Sequence, residues 1–275
     1  MEKSNIDEKI KLLTGSGMWH TQEVKGLPSV HLSDGPHGLR KQEEKERQNN
    51  VSLVSTCYPT ASALACSWDV TAAERLGRAV AKEAWNADVA VLLGPGINMK
   101  RSPLCGRNFE YFSEDPFLAG RLGAAYVSAA QGEDVAVSLK HFAANNQETN
   151  RQTANSQIDE RALREIYLSA FEYVVKTARP ATVMASYNRL NGYYACENRH
   201  LLTEILREEW GFKGMVTTDW WNKAYQYKEI KAGNDLKMGS GDPDEVLEAW
   251  KEGKVTRKEI ETCAARILET IMKLD

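Results

Sequence analysis

A parallel α/β fold closed into a (β/α)8-type TIM barrel, with an incomplete or collapsed ring as its variant, is what three observations predict. Short runs of β-branched and small apolar residues alternate with amphipathic stretches along the whole chain, as expected for strands buried beneath helices. The 275 residues suit a single barrel of this type, for which about 250 is typical. Polar residues gather just after the strand-like runs, where such barrels carry their chemistry. An open doubly wound sheet is the second architecture. No GxGxxG or Walker-type loop follows a strand, so its nucleotide-binding form lacks its signature.

The first strand is expected over residues 29–32, ending in Ser33-Asp34-Gly35-Pro36. Thr71-Ala-Ala-Glu74 has capping-box spacing and opens a helix through Leu76 and Val80. Strands follow over residues 87–93 and 135–139. A helix over residues 159–175 sets Leu163, Ile166, Tyr167, Ala170, Phe171 and Val174 on one face, with Asp159 as its N-cap. A strand at 181–185, a helix at 199–210 stopped by Gly211, and a strand at 214–218 come next. The last helix, 257–274, carries Ile260, Cys263, Ile267 and Ile271 on one stripe.

Composition removes several classes of function. Apolar residues at 42% and charged residues at 27% describe an ordinary globular core. A net charge of -3 without a long basic run gives nucleic acid no footprint. No apolar stretch nears the roughly 20 residues that span a bilayer. The amino-terminal MEKSNIDEKIKLL lacks the apolar core of a signal peptide. Five cysteines without a CxxC pair favour reduced thiols and a cytoplasmic setting.

The strand ends supply the chemistry. Asp34 and Arg40 share a tight Gly/Pro loop, which a surface turn with an ion pair would explain equally well. A long loop from Leu93 brings Asn98, Lys100, Arg101, Arg107 and Glu110. Lys140 and His141 follow an apolar strand directly, and burying them without partners would be costly. Met184, Tyr187 and Asn188 close the next strand, and Asp219-Trp220-Trp221 the one after. Alone, Asp219 reads as a helix cap; with the other strand ends it reads as part of a cleft. Directional donors and acceptors beside aromatic faces suit a hydroxyl-rich ring. No HExxH, spaced histidine pair or EF-hand cluster supports a metal, and no cofactor is implied. Lys140 leaves a Schiff-base, aldolase-like chemistry open.

Taken in order, LLTGSGMWHT, SDGPHGLR, GPGINMKRSPLCGRNFEYFSEDP, KHFAANNQE, MASYNRLNG and GFKGMVTTDW resemble the catalytic barrel of glycoside hydrolase family 3, particularly its bacterial β-glucosidases. The resemblance covers nearly the whole chain and implies one barrel domain over residues 1–275. It implies Asp219 as the nucleophile of a retaining mechanism on terminal β-D-glucosides, with β-glucoside or glucose as ligand. It implies Asp34, Arg40, Arg107, Lys140, His141 and Arg151 as partners of the sugar hydroxyls. Met184 would form the wall, Tyr187 would stand beside the nucleophile, and Trp220 would be the platform.

One departure matters. A retaining glycosidase needs two carboxyl groups about 5–5.5 Å apart, one to attack and one to protonate the leaving group. In most members the second lies on an α/β domain that follows the barrel, and this chain stops at Ile271-Met272-Lys273-Leu274-Asp275. The single-domain N-acetylglucosaminidases use a His–Asp pair after the KHF motif; here that loop reads AANNQETNRQTAN, without histidine. Glu110, Glu114 and Glu148 are the nearest loop carboxylates. The expectation is therefore an impaired hydrolase domain, excised or engineered from a larger enzyme. It would have a complementing second domain or self-association as partner. A non-catalytic sugar-binding barrel is the alternative.

Overall fold

The computed structural model describes residues 5–24, 26–42 and 51–274. Its strands are β1 (Leu32–Asp34), β2 (Val91–Leu93), β3 (Ala136–Phe142), β4 (Asn155–Ser156), β5 (Thr182–Ala185), β6 (Arg189–Leu190), β7 (Tyr193–Tyr194) and β8 (Met215–Thr218). The helices are α1 (Ile6–Leu12), α2 (Ala61–Ala65), α3 (Val70–Asn86), α4 (Pro116–Gln131), α5 (Glu160–Ala162), α6 (Ser169–Ala178), α7 (Gln226–Ala232), α8 (Pro243–Lys251) and α9 (Arg257–Ile271).

Five strands form one parallel sheet in the order β1-β2-β3-β5-β8, while β4, β6 and β7 form a small separate ribbon. Side chains alternate along the buried strands, as the pleat requires. Leu92, Val137, Leu139, Val183 and Val216 enter the cluster shared with α3, α4 and α6. Val91, Leu93, Ala136, Met184 and Met215 enter the cluster shared with α1, α8 and α9.

The rest of the ring is carried by single bridges rather than full strands. Thr217 bridges Leu236, Thr14 bridges Lys237, Ser16 bridges His20, and His20 bridges His31. Hydrogen bonding thus passes from β8 round to β1. The architecture is a (β/α) barrel whose ring is regular over five strands and irregular over the remainder.

Several boundaries differ from the expectation. The first strand is Leu32–Asp34 rather than 29–32, because Val30 turns back to pair with Thr21. The second is only Val91–Leu93, since Ala87 still caps α3 and Asp88 takes a left-handed φ of 54°. The third runs on through Lys140 and His141 to Phe142.

Asp69, not Thr71, caps α3, its carboxylate accepting from Thr71 N at 2.8 Å. The capping box forms at Thr256 and Glu259 instead. Asp159 does cap its helix, but the stretch after it breaks into a π-helical turn, Leu163–Tyr167, before α6. The 199–210 helix is likewise π-wound over His200–Glu209. All five cysteines are free thiols. Among the described residues no helix is long and apolar enough to cross a membrane.

Candidate active site

The carboxyl ends of the strands enclose a cavity of about 620 Å³, a size typical of small-molecule pockets. Asp34, Arg40, Arg107, Lys140, His141, Arg151, Met184, Tyr187, Asp219 and Trp220 all line it. These ten come from five separate stretches of chain, and the fold brings every one of them together.

Asp34 ends β1, and the next residue lets the chain reverse. Gly35 has φ +129°, and a Cβ there would lie 2.2 Å from the Gly38 carbonyl oxygen. The turn returns Arg40, whose amide bonds the Asp34 carbonyl at 2.8 Å and whose guanidinium lies 3.8 Å from the Asp34 carboxylate. From β3, the Lys140 ammonium donates to Asp34 Oδ1 at 2.8 Å. Burial alone would raise the Asp34 carboxyl, but Lys140, Arg107 and Arg40 outweigh it and hold it below the ordinary value. The reverse holds for Lys140: burial opposes its charge, and Asp34 and Glu110 more than restore it. Both stay ionised.

The long loop after β2 supplies the next layer. Arg107 Nε bonds Glu110, and its Nη2 lies 2.8 Å from His141 Nε2. Tyr111 Oη lies 2.9 Å from His141 Nδ1. Asn98 clasps the His141 peptide from both sides, donating to its carbonyl at 2.8 Å and accepting from its amide at 2.7 Å. Burial first, then Arg107, Lys140 and Arg151, pull the His141 pKa well below its usual value, so the ring is neutral.

Asp219 follows β8 directly. Its Oδ1 accepts from Trp220 N at 2.8 Å, while Oδ2 is buried without a hydrogen-bond partner, 3.8 Å from His141 Nε2. Burial raises its carboxyl, and Arg107, the Trp220 amide and Lys140 only partly offset that. Tyr187 Oη donates to the Trp220 carbonyl at 2.6 Å, and the Arg151 guanidinium stacks 4.6 Å over the Tyr187 ring. Arg107 Nη1 is also buried without a hydrogen-bond partner. A buried donor and a buried acceptor without hydrogen-bond partners therefore border one cavity.

The three loop carboxylates separate clearly. Glu114 is exposed and outside the cavity lining. Glu110 is tied to Arg107 and lies 3.8 Å from Lys140. Glu148 accepts from Arg151 at 3.0 Å and lies 3.9 Å from Arg107. Among the described residues no group of three or more His, Cys, Asp or Glu side chains is placed to hold a metal ion.

The structure adds lining residues to which sequence reasoning assigned no role: Met18, Trp19, Pro36, His37, Gln42 and Phe109. Trp19 packs 5.2 Å from Trp220, and Trp220 Nε1 donates to the Met18 carbonyl at 2.7 Å. The signal was a tryptophan after the glycine-rich Gly15-Ser16-Gly17, but only the closing bridges bring it to the site.

Comparison with known proteins places the chain in a family. The family model described as glycosyl hydrolase family 3 N terminal domain matches residues 36–270. The chain is 48% identical over 278 aligned positions to the thermostable beta-glucosidase B of Acetivibrio thermocellus, covering 98% of this chain and 37% of that protein. It is 44% identical to the exo-alpha-(1->6)-L-arabinopyranosidase of Bifidobacterium longum, over 98% of this chain and 36% of that one. The structure of beta-glucosidase 3B from Thermotoga neapolitana in complex with glucose superposes with a TM-score of 0.94 at 39% identity, covering 99% of this chain and 42% of that chain. The chain thus spans little more than a third of the length of these relatives, and it belongs to glycosyl hydrolase family 3, by the N-terminal domain of that family.

Proposed function

We propose that this chain is the glycone-binding and nucleophile-bearing domain of a retaining β-glucosidase. The carrying observation is Asp219: one carboxylate oxygen is held by a backbone amide, and the other is buried in the cavity without a partner. An oxygen so placed is oriented to attack an anomeric carbon and form a glycosyl-enzyme. Asp34, Lys140, His141, Arg107, Arg40 and Arg151 bind and orient the sugar hydroxyls. Met184 and Trp220 face the ring, and Tyr187 fixes the backbone beside the nucleophile. We read residues 1–275 as one domain, because Thr14 and Lys237 bridge its two ends.

The proton for the leaving group comes from outside this domain in our reading. Glu110 and Glu148 are both engaged by cations, which suits them to holding arginine rather than giving up a proton. A complementing domain is the proposed partner. Leu104 and Phe109, 92% and 50% exposed on the loop that supplies Arg107, offer it an apolar contact, with Phe109 lining the cavity. The free thiols support a reducing, cytoplasmic setting. The Schiff-base alternative loses support because Lys140 is held charged by Asp34, and an amine must be neutral to attack a carbonyl.

The test compares aryl β-glucosides whose leaving groups depart with and without protonation. Loss of general acid catalysis costs about 10²–10⁴-fold, so this chain should turn over only the activated substrate. Azide should accelerate that turnover by replacing the general-base-assisted water. An α-L-arabinopyranoside in the same series decides the sugar. Glucose binding without turnover or labelling at any leaving group would instead establish a sugar-binding barrel.

A further inference from the structure

We propose that Tyr111 is a positioning residue that, together with Arg107 on the other ring nitrogen, fixes the proton of His141 on Nδ1 and so keeps Asp219 Oδ2 free of any hydrogen bond from the imidazole. The proposal rests on the reading of Asp219 as nucleophile. A guanidinium can only donate, so His141 Nε2, 2.8 Å from Arg107 Nη2, is placed to accept. The neutral ring then has one N–H left, at Nδ1, and it donates to Tyr111 Oη at 2.9 Å. Tyr111 is suited to accept: it is fully buried, and Asn145 Nδ2 also donates to its oxygen at 3.1 Å. The opposite tautomer would set an Nε2–H against the Arg107 donor and leave Tyr111 Oη to donate to Nδ1.

The ring has little freedom to escape this choice. Asn98 holds its peptide on both sides, and the Tyr111 ring meets the imidazole edge-on at 5.9 Å. Asp219 Oδ2 lies 3.8 Å from Nε2. A proton on Nε2 would be near enough, after a small shift, to be shared with that oxygen. That hydrogen bond would draw charge from the attacking oxygen and lower its nucleophilicity. Tyr111 prevents this by giving the single imidazole proton a better acceptor on the far side of the ring.

Long-range proton–nitrogen NMR on the nitrogen-15-labelled chain reads the tautomer directly. The His141 signals are assigned by their loss in His141→Gln. The expected result is a protonated Nδ1 and an unprotonated Nε2. In Tyr111→Phe, where Arg107 alone still favours the Nδ1–H form, the proton should move partly to Nε2. Labelling of Asp219 by a dinitrophenyl 2-deoxy-2-fluoro-β-glucoside should then slow by about tenfold or more, with glucose affinity changed less than about threefold. Asn145→Ala leaves the Tyr111 acceptor in place and should keep the Nδ1–H form. A protonated Nε2 in the unmodified chain overturns the proposal even if Tyr111→Phe does not fold. So does a Tyr111→Phe chain that retains the Nδ1–H form and labels at the original rate. A chain with the expected tautomer and the expected response to Tyr111→Phe, but no labelling at all, upholds the Tyr111 assignment and rejects Asp219 as nucleophile.

Discussion

Strand β8 has a buried carboxylate at each of its ends, and the two are treated in opposite ways. At the amino end, Asp235 is closed on every side. Its Oδ2 accepts from Arg207 at 2.6 Å and from the Val216 amide at 2.8 Å, and its Oδ1 accepts from Arg266 at 3.1 Å. At the carboxyl end, Asp219 has one oxygen satisfied and one left without a partner. Both are aspartates beside one strand, among arginines. A fully paired carboxylate contributes to holding the sheet; a half-paired one keeps reactivity at the expense of stability. Barrels concentrate stability at one end and chemistry at the other, and on the proposed reading of Asp219 a single strand carries the division.

The largest expected effect tests the open end. Asp219→Asn should abolish covalent labelling by an activated fluoroglucoside, read by peptide mass mapping, while leaving the fold intact. Its stability in urea should equal or exceed that of the unmodified chain. The sign follows from burial, which puts the folded-state pKa of Asp219 above its unfolded value. Such a group contributes stability that is present below the unfolded pKa and lost as pH rises through the folded one. Ionised Asp219 therefore opposes folding at neutral pH.

The closed end should respond in the other currency. Asp235→Ala leaves Arg207 and Arg266 without their shared carboxylate, and should cost about 3–5 kcal/mol in equilibrium unfolding. Glucose affinity of the molecules that remain folded should be unchanged. A large loss of affinity with little loss of stability would break the comparison.

A pH series sharpens the contrast at the cavity. With Asp219 as nucleophile, labelling needs its ionised form, so the rate should fall as pH drops through a value above the ordinary aspartate pKa. Asp34, held low by its cations, remains ionised across that window and should add no second step. Smallest of all, Arg266→Gln removes the more exposed arm of the Asp235 clamp and should cost about 1 kcal/mol, with no effect on labelling.

Much of this was legible in sequence, for reasons that also mark where legibility stops. The strand ends could be read because barrel topology converts a sequence position after a strand into a place on one rim. Asp34, Lys140 and Asp219 needed no knowledge of distant contacts to be singled out. The motif resemblance supplied the proposed roles of Arg107, Arg151 and Tyr187, which spacing alone does not yield. Asn98, Tyr111 and Trp19 contact partners 43, 30 and 201 positions away, His141 for the first two and Trp220 for the third, and no local pattern encodes such pairings. Asp69 displaced Thr71 as a cap because two good acceptors lay two residues apart, and propensity does not rank them. The π-helical turns at Leu163–Tyr167 and His200–Glu209 keep an ordinary amphipathic stripe and so look like plain α-helix.

The irregular closure of the ring has a kinetic consequence. Between β8 and β1 the backbone is zipped by few bonds, among them Lys237 N to Leu13 O at 2.9 Å, Gly15 N to Lys237 O at 2.9 Å and Leu32 N to Trp19 O at 2.7 Å. Amide hydrogens on this seam should exchange with solvent well before those of β3 and β5, which lie inside the regular sheet. Met18 and Trp19 belong to the same segment and form part of the cavity wall. Opening of the seam and admission of solvent beside Trp220 are therefore one event, and a bound sugar that packs against that wall should slow exchange at Gly15 and Lys237 without touching either.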